Sequence, residues 1–458
     1  MARLRRTAFA LALVLAAATG AWMLTHAHGR RDARPNILLV TLDTLRADHA
    51  SCCGYFRATT PCLERLAAEG TLFCHAYCAL PTCAPSHASI LTGQYALTHH
   101  VVRNGNVLEA EQVTLAERVK RAGYATAAIV ASFPLNSRFG LAQGFDLYDD
   151  KLPPESASYP ISTFEGLTVS GGFDRRADAT TERAVAWLER ERPHDRPFFL
   201  WVHLFDAHAP YNPPPPHDRL FTVAASAPAE ERSIAAYDGE VHFADEYLGH
   251  LLDALEAQDL AASTIVVAVS DHGEGLGQHG FADHGMLLYE EAVRVPVVFR
   301  WPGHLRPGQN VDAPISLVDL APTLLDLASV PAEAPAMAGR SLALVLRGEE
   351  QPDLARPIFL QRRDYEPGSK DAPKIKGPQY GVRVGDYKLI DAPEDGVTEL
   401  YDLAADPGEL QNLSAEQPDR TGRLKKLLAD WARLARAFSR PDLATEDIAR
   451  LRALHYTH

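Results

Sequence analysis

Several short stretches of this 458-residue chain bring together side chains that can do chemistry. Asp43 closes the apolar run Pro35-Asn-Ile-Leu-Leu-Val-Thr-Leu, and Cys83 opens Cys83-Ala-Pro-Ser-His87-Ala-Ser-Ile-Leu-Thr-Gly93. The β-rich run Phe198–Leu204 leads into Phe205-Asp206-Ala-His208, and Thr264–Ser270 leads into Asp271-His272-Gly-Glu274. A small polar residue followed by proline and serine opens a helix whose free N–H groups and dipole favour an anion. Asp43 at a strand end, facing a second strand-terminal Asp-His pair, has the chemistry to hold a divalent cation. An imidazole such as that of His208 titrates near neutrality and suits proton transfer.

These residues need a scaffold that delivers strand ends to one place. The run before Asp43 is continuously apolar, as in a strand buried on both faces of a parallel sheet. Tyr124–Ala131, Phe198–Leu204 and Thr264–Ser270 repeat that grammar, with helix-like stretches such as Gln112–Ala122 and Thr181–Arg192 before them. Alternating helix and strand predicts an α/β fold with a large doubly wound mixed sheet flanked by helices, in which ligands bind at the C-terminal strand edge. After about Asp353 the texture changes to short strands (Ile358–Leu360, Tyr387–Ile390), turns, and a helix from about Asp419 to Phe438. This reads as a smaller α+β C-terminal subdomain over 353–458, after a catalytic domain over 35–352.

Residues 1–34 run from a basic stretch (Arg3, Arg5, Arg6) through an apolar segment to Leu24, the pattern of a signal peptide or signal anchor. The chain is therefore expected to be exported, periplasmic or extracellular, with any membrane contact through that segment alone. A formal net charge of −14 offers no general attraction for phosphate backbones, so no nucleic-acid partner is expected. All 6 cysteines fall between Cys52 and Cys83. If Cys83 is catalytic, the odd remainder cannot pair fully, and at most one or two disulfides are compatible with export.

The Cys83–Gly93 stretch resembles the sulfatase signature C-x-P-S-R followed by a short apolar helix and Thr-Gly. That resemblance implies that Cys83 is oxidised by a formylglycine-generating enzyme, which would be a protein partner. The hydrated aldehyde would then supply one hydroxyl to attack the ester and a second to expel the anion. His87 stands where the family has arginine and is expected to donate a hydrogen bond to the nucleophile's second oxygen, or else to lie on a helix surface. Unconverted, Cys83 is a candidate metal ligand or thiol nucleophile.

Leu42-Asp43-Thr44-Leu-Arg-Ala-Asp-His49 is similar to the N-terminal metal loop of sulfatases and phosphonate monoester hydrolases of the alkaline phosphatase superfamily, and Ser270-Asp271-His272-Gly-Glu274 to their second loop. The resemblance implies one divalent cation held by Asp43, Cys83, Asp271 and His272. Calcium comes first, with manganese or zinc close behind because Thr44 replaces a frequent carboxylate and His272 a frequent asparagine. His208 aligns with the histidine that protonates the leaving alcohol. Gly277-Gln-His279-Gly through Tyr289-Glu-Glu to Arg294-Val-Pro also follows the family, and His284 falls where many relatives have the lysine that grips the anion. The lysine and histidine that arylsulfatases carry after the strand at Tyr124 are missing. The expected function is a metal-dependent sulfatase acting on a small-molecule or glycan anionic ester. The alternative is a phosphodiesterase or phosphonate monoester hydrolase with unconverted Cys83, in which Asp206, His208 and His284 hold a second cation. A binding protein that kept the fold without the activity is the third reading.

Overall fold

The computed structural model describes residues 34–153, 163–164, 167–169, 172–362 and 377–438; the export segment expected over 1–34 lies outside them save for Arg34. The central element is strand β1 (Asn36–Leu42), whose branched and apolar side chains are buried on both faces. It is followed in chain order by β2 (Thr71–Tyr77), helix α1 (Cys83–Thr92), β3 (Ala125–Ile129), β4 (Leu147–Asp149), β5 (Phe198–Leu204), helix α2 (Ala229–Ala257), β6 (Thr264–Ser270), β7 (Arg294–Arg300) and β8 (Gln309–Asn310). These strands lie in one nine-stranded sheet in the order β8-β2-β7-β6-β1-β5-β3-β4, with Ile315–Ser316 also paired to β2. β1 pairs in parallel with both β5 and β6, and β7 runs antiparallel to its neighbours β6 and β2. The sheet is therefore the mixed one expected.

Alternation along β1 divides the core, because successive side chains of a strand point to opposite faces. Ile37 and Leu39 join a cluster with Ala84, Ala88 and Leu91 of α1. Leu38 and Val40 join the opposite cluster with Tyr237, Val241 and Leu248 of α2. The sheet is thus covered by helices on both faces, as a doubly wound architecture requires.

The C-terminal subdomain is a four-stranded antiparallel sheet of β9 (Ile358–Gln361), β10 (Tyr380–Val384), β11 (Tyr387–Ala392) and β12 (Val397–Asp402) with helix α3 (Pro418–Phe438). Trp431 of α3 stacks on Phe359 of β9 at 4.7 Å. Both share an apolar cluster with Ala79, Tyr95, Leu97 and Val318 of the larger part. Cys53 and Cys74 form a disulfide, while Cys52, Cys62, Cys78 and Cys83 are free.

Candidate active site

Three parallel strands end level with one another. Leu42 of β1 pairs with Leu204 of β5 on one side and with Ser270 of β6 on the other, so Asp43, Phe205 and Asp271 leave the sheet at the same edge. α1 lies across that edge with Cys83 as its first residue and all ten of its residues buried. Ser86 Oγ donates to the Asp271 carbonyl at 2.6 Å, which ties the helix start to the loop after β6. As a result Asp43, Cys83, Asp271 and His272, all buried, bring one donor atom each to within 4.8 Å of one another.

Each donor is held by a specific partner. The Thr44 N–H and the His272 N–H donate to Asp271 Oδ1 at 3.2 and 2.8 Å. Thr44 adopts a left-handed φ of 56°, unusual for a β-branched residue, and its carbonyl accepts from Tyr237 Oη at 2.8 Å. Gly273 lets the loop pass against its neighbour: a Cβ there would lie 2.0 Å from the Glu291 carbonyl oxygen. The His272 Nδ1–H donates to the Gly273 carbonyl at 2.9 Å, which leaves Nε2 with the lone pair.

His203 completes the arrangement. Its Nδ1 accepts from the Ala131 N–H at 3.2 Å, so its Nε2–H donates to Asp43 Oδ2 at 3.0 Å. Burial pushes the imidazoles of His203 and His272 down to about 3 and about 4, and both are neutral at ordinary pH. Burial raises Asp43, and burial together with the neighbouring Asp43 charge pushes Asp271 up to about 7.

At the centre the acceptors of Asp43, Asp271 and His272 face one another, and the Cys83 thiol donates to Asp43 Oδ1. His272 Nε2 is 3.4 Å from Asp271 Oδ2 and 3.9 Å from Asp43 Oδ1, and Cys83 Sγ is 3.8 Å from Asp43 Oδ1. Asp271 Oδ2 and His272 Nε2 are buried without a hydrogen-bond partner. Lone pairs left unpaired in a dry site are costly, and a cation is the group that satisfies them together. The donor set therefore fits a divalent ion.

His87 lies within this site, but both of its ring nitrogens are engaged away from the nucleophile's side chain. Trp201 Nε1–H donates to Thr41 Oγ1 at 3.0 Å, and the Thr41 hydroxyl donates to His87 Nε2 at 3.1 Å. His87 Nδ1–H then donates to the Cys83 carbonyl at 2.8 Å. Burial holds this imidazole down to about 4, so the neutral form is retained. His87 acts as a strut between β1 and the start of α1.

The helix start also differs from the anion cradle expected of it. Pro85 has no N–H, the Ala84 N–H is taken by Asn104 Oδ1 at 2.9 Å, and the Ser86 N–H by the Thr82 carbonyl at 2.9 Å. These groups are consumed by capping and are not free for an anion.

His208 and His284 approach Cys83 from the other side, each offering one donor atom within 4.8 Å of Sγ and of each other. His208 Nδ1–H donates to the Ala209 carbonyl at 2.7 Å, and its ring stacks on Phe205 at 4.5 Å. Burial and the neighbouring His284 hold the His208 pKa below its ordinary value. His284 Nδ1 is 3.2 Å from Glu274 Oε1, and its ring lies 4.4 Å from that of His272. Asp206 is not part of this group. It lies beside His208 with Arg176 and Glu240 around a space of only about 10 Å³, and burial pushes its carboxyl up to about 7.

The loop that carries His284 is anchored at His279. Its ring stacks on Tyr289 at 3.7 Å, its Nδ1 is 2.7 Å from Glu291 Oε1, and its Nε2 is 3.3 Å from the Glu409 carbonyl. The hydrogen bond and charge of Glu291 hold the His279 pKa above its ordinary value.

Cys83, the Asp43–Asp271–His272 group and the imidazoles of His208 and His284 thus meet at the C-terminal edge of a mixed sheet. A sequence profile of the sulfatase family matches residues 35–330, and a profile of the N-sulphoglucosamine sulphohydrolase C-terminal region matches residues 277–434. The chain belongs to the sulfatase family and is a sulfuric ester hydrolase. It is 26% identical to an N-acetylglucosamine-6-O-sulfatase of Bacteroides thetaiotaomicron, covering 87% of this chain and 86% of that protein. It is 28% identical to a Δ4,5-hexuronate-2-O-sulfatase of the same organism, covering 89% of each. In fold it is similar to a structure solved with its substrate D-glucosamine-2-N,6-O-disulfate, with a TM-score of 0.72 and 24% identity over 89% of this chain and 100% of that one. A phosphonate monoester hydrolase of Agrobacterium radiobacter matches with a TM-score of 0.69 and 24% identity over 92% and 96% of the two chains.

Proposed function

We propose that the protein hydrolyses sulfate esters of sugars, using a nucleophile derived from Cys83 beside one divalent cation. The observation that carries this reading is the convergence of Asp43, Cys83, Asp271 and His272 within 4.8 Å, with unpaired acceptor atoms turned to a common centre. A cation held by these four residues would neutralise charge on the reacting anion and lower the pKa of the nucleophile's hydroxyl. Calcium is first among candidates by family likeness, and the two carboxylates and one imidazole also suit manganese or zinc. Formylglycine, formed from Cys83, would supply a geminal diol at this position in place of the thiol.

The chain's own residues supply the rest. Asp43 and Asp271 each have one oxygen pinned, which directs the other toward the nucleophile. His208, with Nδ1 committed to a carbonyl, presents Nε2 as the proton donor to the leaving alcohol, and its lowered pKa makes the imidazolium a stronger acid. His284, oriented by Glu274, contacts the anion. The sugar class rests on the relatives named above. Export is part of the proposal, supported by the basic-apolar N-terminus and the Cys53–Cys74 disulfide.

The second reading, hydrolysis of phosphonate or phosphate esters by unconverted Cys83, is favoured by the two imidazoles at the anion position in place of a fixed cation. Peptide mass across Cys83, combined with release of sulfate from sulfated monosaccharides and of alcohol from phosphonate esters, separates the two. An aldehyde with sulfate release supports the first reading; a thiol with phosphonate turnover replaces it.

A further inference from the structure

Away from the strand edge, the long helix α2 carries a separate group of donors. His242 and Glu246 stand four residues apart and therefore share one face of the helix. His217 lies against them, in the short turn His217–Arg219 that follows the prolines 213–216. Its Nδ1 is 3.0 Å from His242 Nδ1, and its Nε2 is 3.3 Å from Glu246 Oε2. The three residues offer one ligand atom each, all within 4.8 Å of one another.

Two imidazole nitrogens in contact can share only one proton, so one Nδ1 turns its lone pair on the other. Burial holds both imidazoles below their ordinary pKa, and a neutral ring is the form that ligates a metal. Nitrogens each about 2.0–2.1 Å from a tetrahedral ion stand about 3.3 Å apart, so the 3.0 Å contact opens by only a few tenths of an ångström to admit one. The charged groups acting on His217 are Glu246, Arg176 and Asp218, two carboxylates against one guanidinium, which leaves negative charge in excess for a cation. Phe243 and Phe221 wall the two rings at 5.2 and 6.0 Å, while the Glu246 side chain is 43% exposed and gives an ion its way in.

We propose that His217, His242 and Glu246 bind a borderline divalent cation, zinc above all, which staples the loop between β5 and α2 to the helix. Two imidazoles and a carboxylate are a zinc donor set, and water completes the tetrahedron on the exposed side of Glu246. Binding involves no electron transfer. The ion takes the place of the proton between the two Nδ1 atoms, and that proton moves to Nε2 of the ring that carried it. The loop already rests on the same helix: a Cβ on Gly239 would lie 2.8 Å from Pro213 Cγ and 2.9 Å from the His217 carbonyl oxygen, and the Asn212 N–H donates to Glu240 Oε1 at 2.7 Å. His208 stands where this loop leaves the sheet, so an ion at His217 steadies the segment that carries that imidazole without touching a reacting atom.

The test uses the full chain, stripped with chelator, loaded with zinc alone and desalted, with bound zinc counted per chain. The variants are His242→Gln and Glu246→Gln, both at partly exposed positions of the helix, with circular dichroism to check the fold. The unaltered chain is expected to keep one zinc more than either variant. An ion held by Asp43, Cys83, Asp271 and His272 is common to all three chains and cancels in the difference. Equal zinc content in the three chains overturns the proposal, as does loss from only one variant, which would remove the other residue from the site. A second measurement needs no variant: Arg219, 79% exposed at its side chain, is a trypsin site within the loop, and zinc is expected to slow cleavage there several-fold. Cleavage at the same rate with and without zinc overturns the staple.

Discussion

His203 Nε2 donates to Asp43 Oδ2 at 3.0 Å, with its tautomer set by the Ala131 N–H at its other nitrogen. Its role is to orient the Asp43 carboxylate. Removing such a partner costs about 10–100-fold in metal affinity. His203→Ala is expected to weaken binding of the catalytic cation by about that factor, and His203→Gln to recover part of it through an amide donor. The measurement is a metal titration followed by thermal shift. Equal affinities in all three chains would reduce His203 to a packing residue.

Asp271→Asn and Asp43→Asn are expected to abolish sulfate release while leaving the chain folded, because both carboxylates face the proposed cation site and not the apolar core. Circular dichroism checks the fold, and metal content by mass spectrometry checks the cause. Near-normal turnover with the metal retained would remove these residues from the site.

His208→Ala is expected to slow esters of poor leaving groups far more than activated aryl esters, since a nitrophenolate departs without a proton. Loss of general acid catalysis costs about 10²–10⁴-fold where protonation is needed. Comparing alkyl and nitrophenyl sulfates gives the ratio; equal losses on both would assign the proton to another group.

Cys83→Ser separates the covalent chemistries. Serine has one hydroxyl, so a formylglycine enzyme is expected to stall after a single turnover with sulfate attached to residue 83, visible as an added mass. Many turnovers at the unaltered rate would show that neither covalent role applies and that a water attacks.

Stability should carry a pH signature from His279. Its folded pKa is raised by Glu291, so its contribution is fully present below the unfolded value of about 6.5 and is lost as pH rises through the higher folded value. The Tm is therefore expected to fall, as pH rises above about 6.5, more steeply in the unaltered chain than in His279→Gln. Parallel profiles would show that the contact with Glu291 Oε1 carries no charge.

Much of the site is legible in the sequence because the donors sit immediately beyond apolar strands. Asp43 and Asp271 are each the first residue after a buried run, and level strand ends bring such residues together. Cys83 and His272 are legible through their neighbours in short motifs. His203 is not, because a histidine inside Phe198–Leu204 reads as a core residue until the register opposite Thr41 places it beside Asp43. The role of His87 depends on a chain of donors running from Trp201 through Thr41, two residues on separate strands. Nor does local sequence reveal that Asn104, on a loop twenty positions downstream, takes the Ala84 amide and closes the helix start to anions. In the C-terminal part, the strands Ile358–Gln361 and Tyr387–Ala392 follow the expected runs, because β propensity and turn residues there agree with the tertiary pairing.

The complete burial of Cys83 would set a clock on any enzymatic modification of that residue. Its cover includes the loop after β6, which a ribosome adds roughly 190 residues later, about 10–40 s at ordinary synthesis rates of about 5–20 residues per second. Until that strand slots in beside β1, residue 83 remains on a nascent chain that another protein can grip. Afterwards the side chain is sealed, so any conversion of Cys83 would be a race between a modifying enzyme and the docking of β6 beside β1, and slowing that pairing would raise the fraction converted.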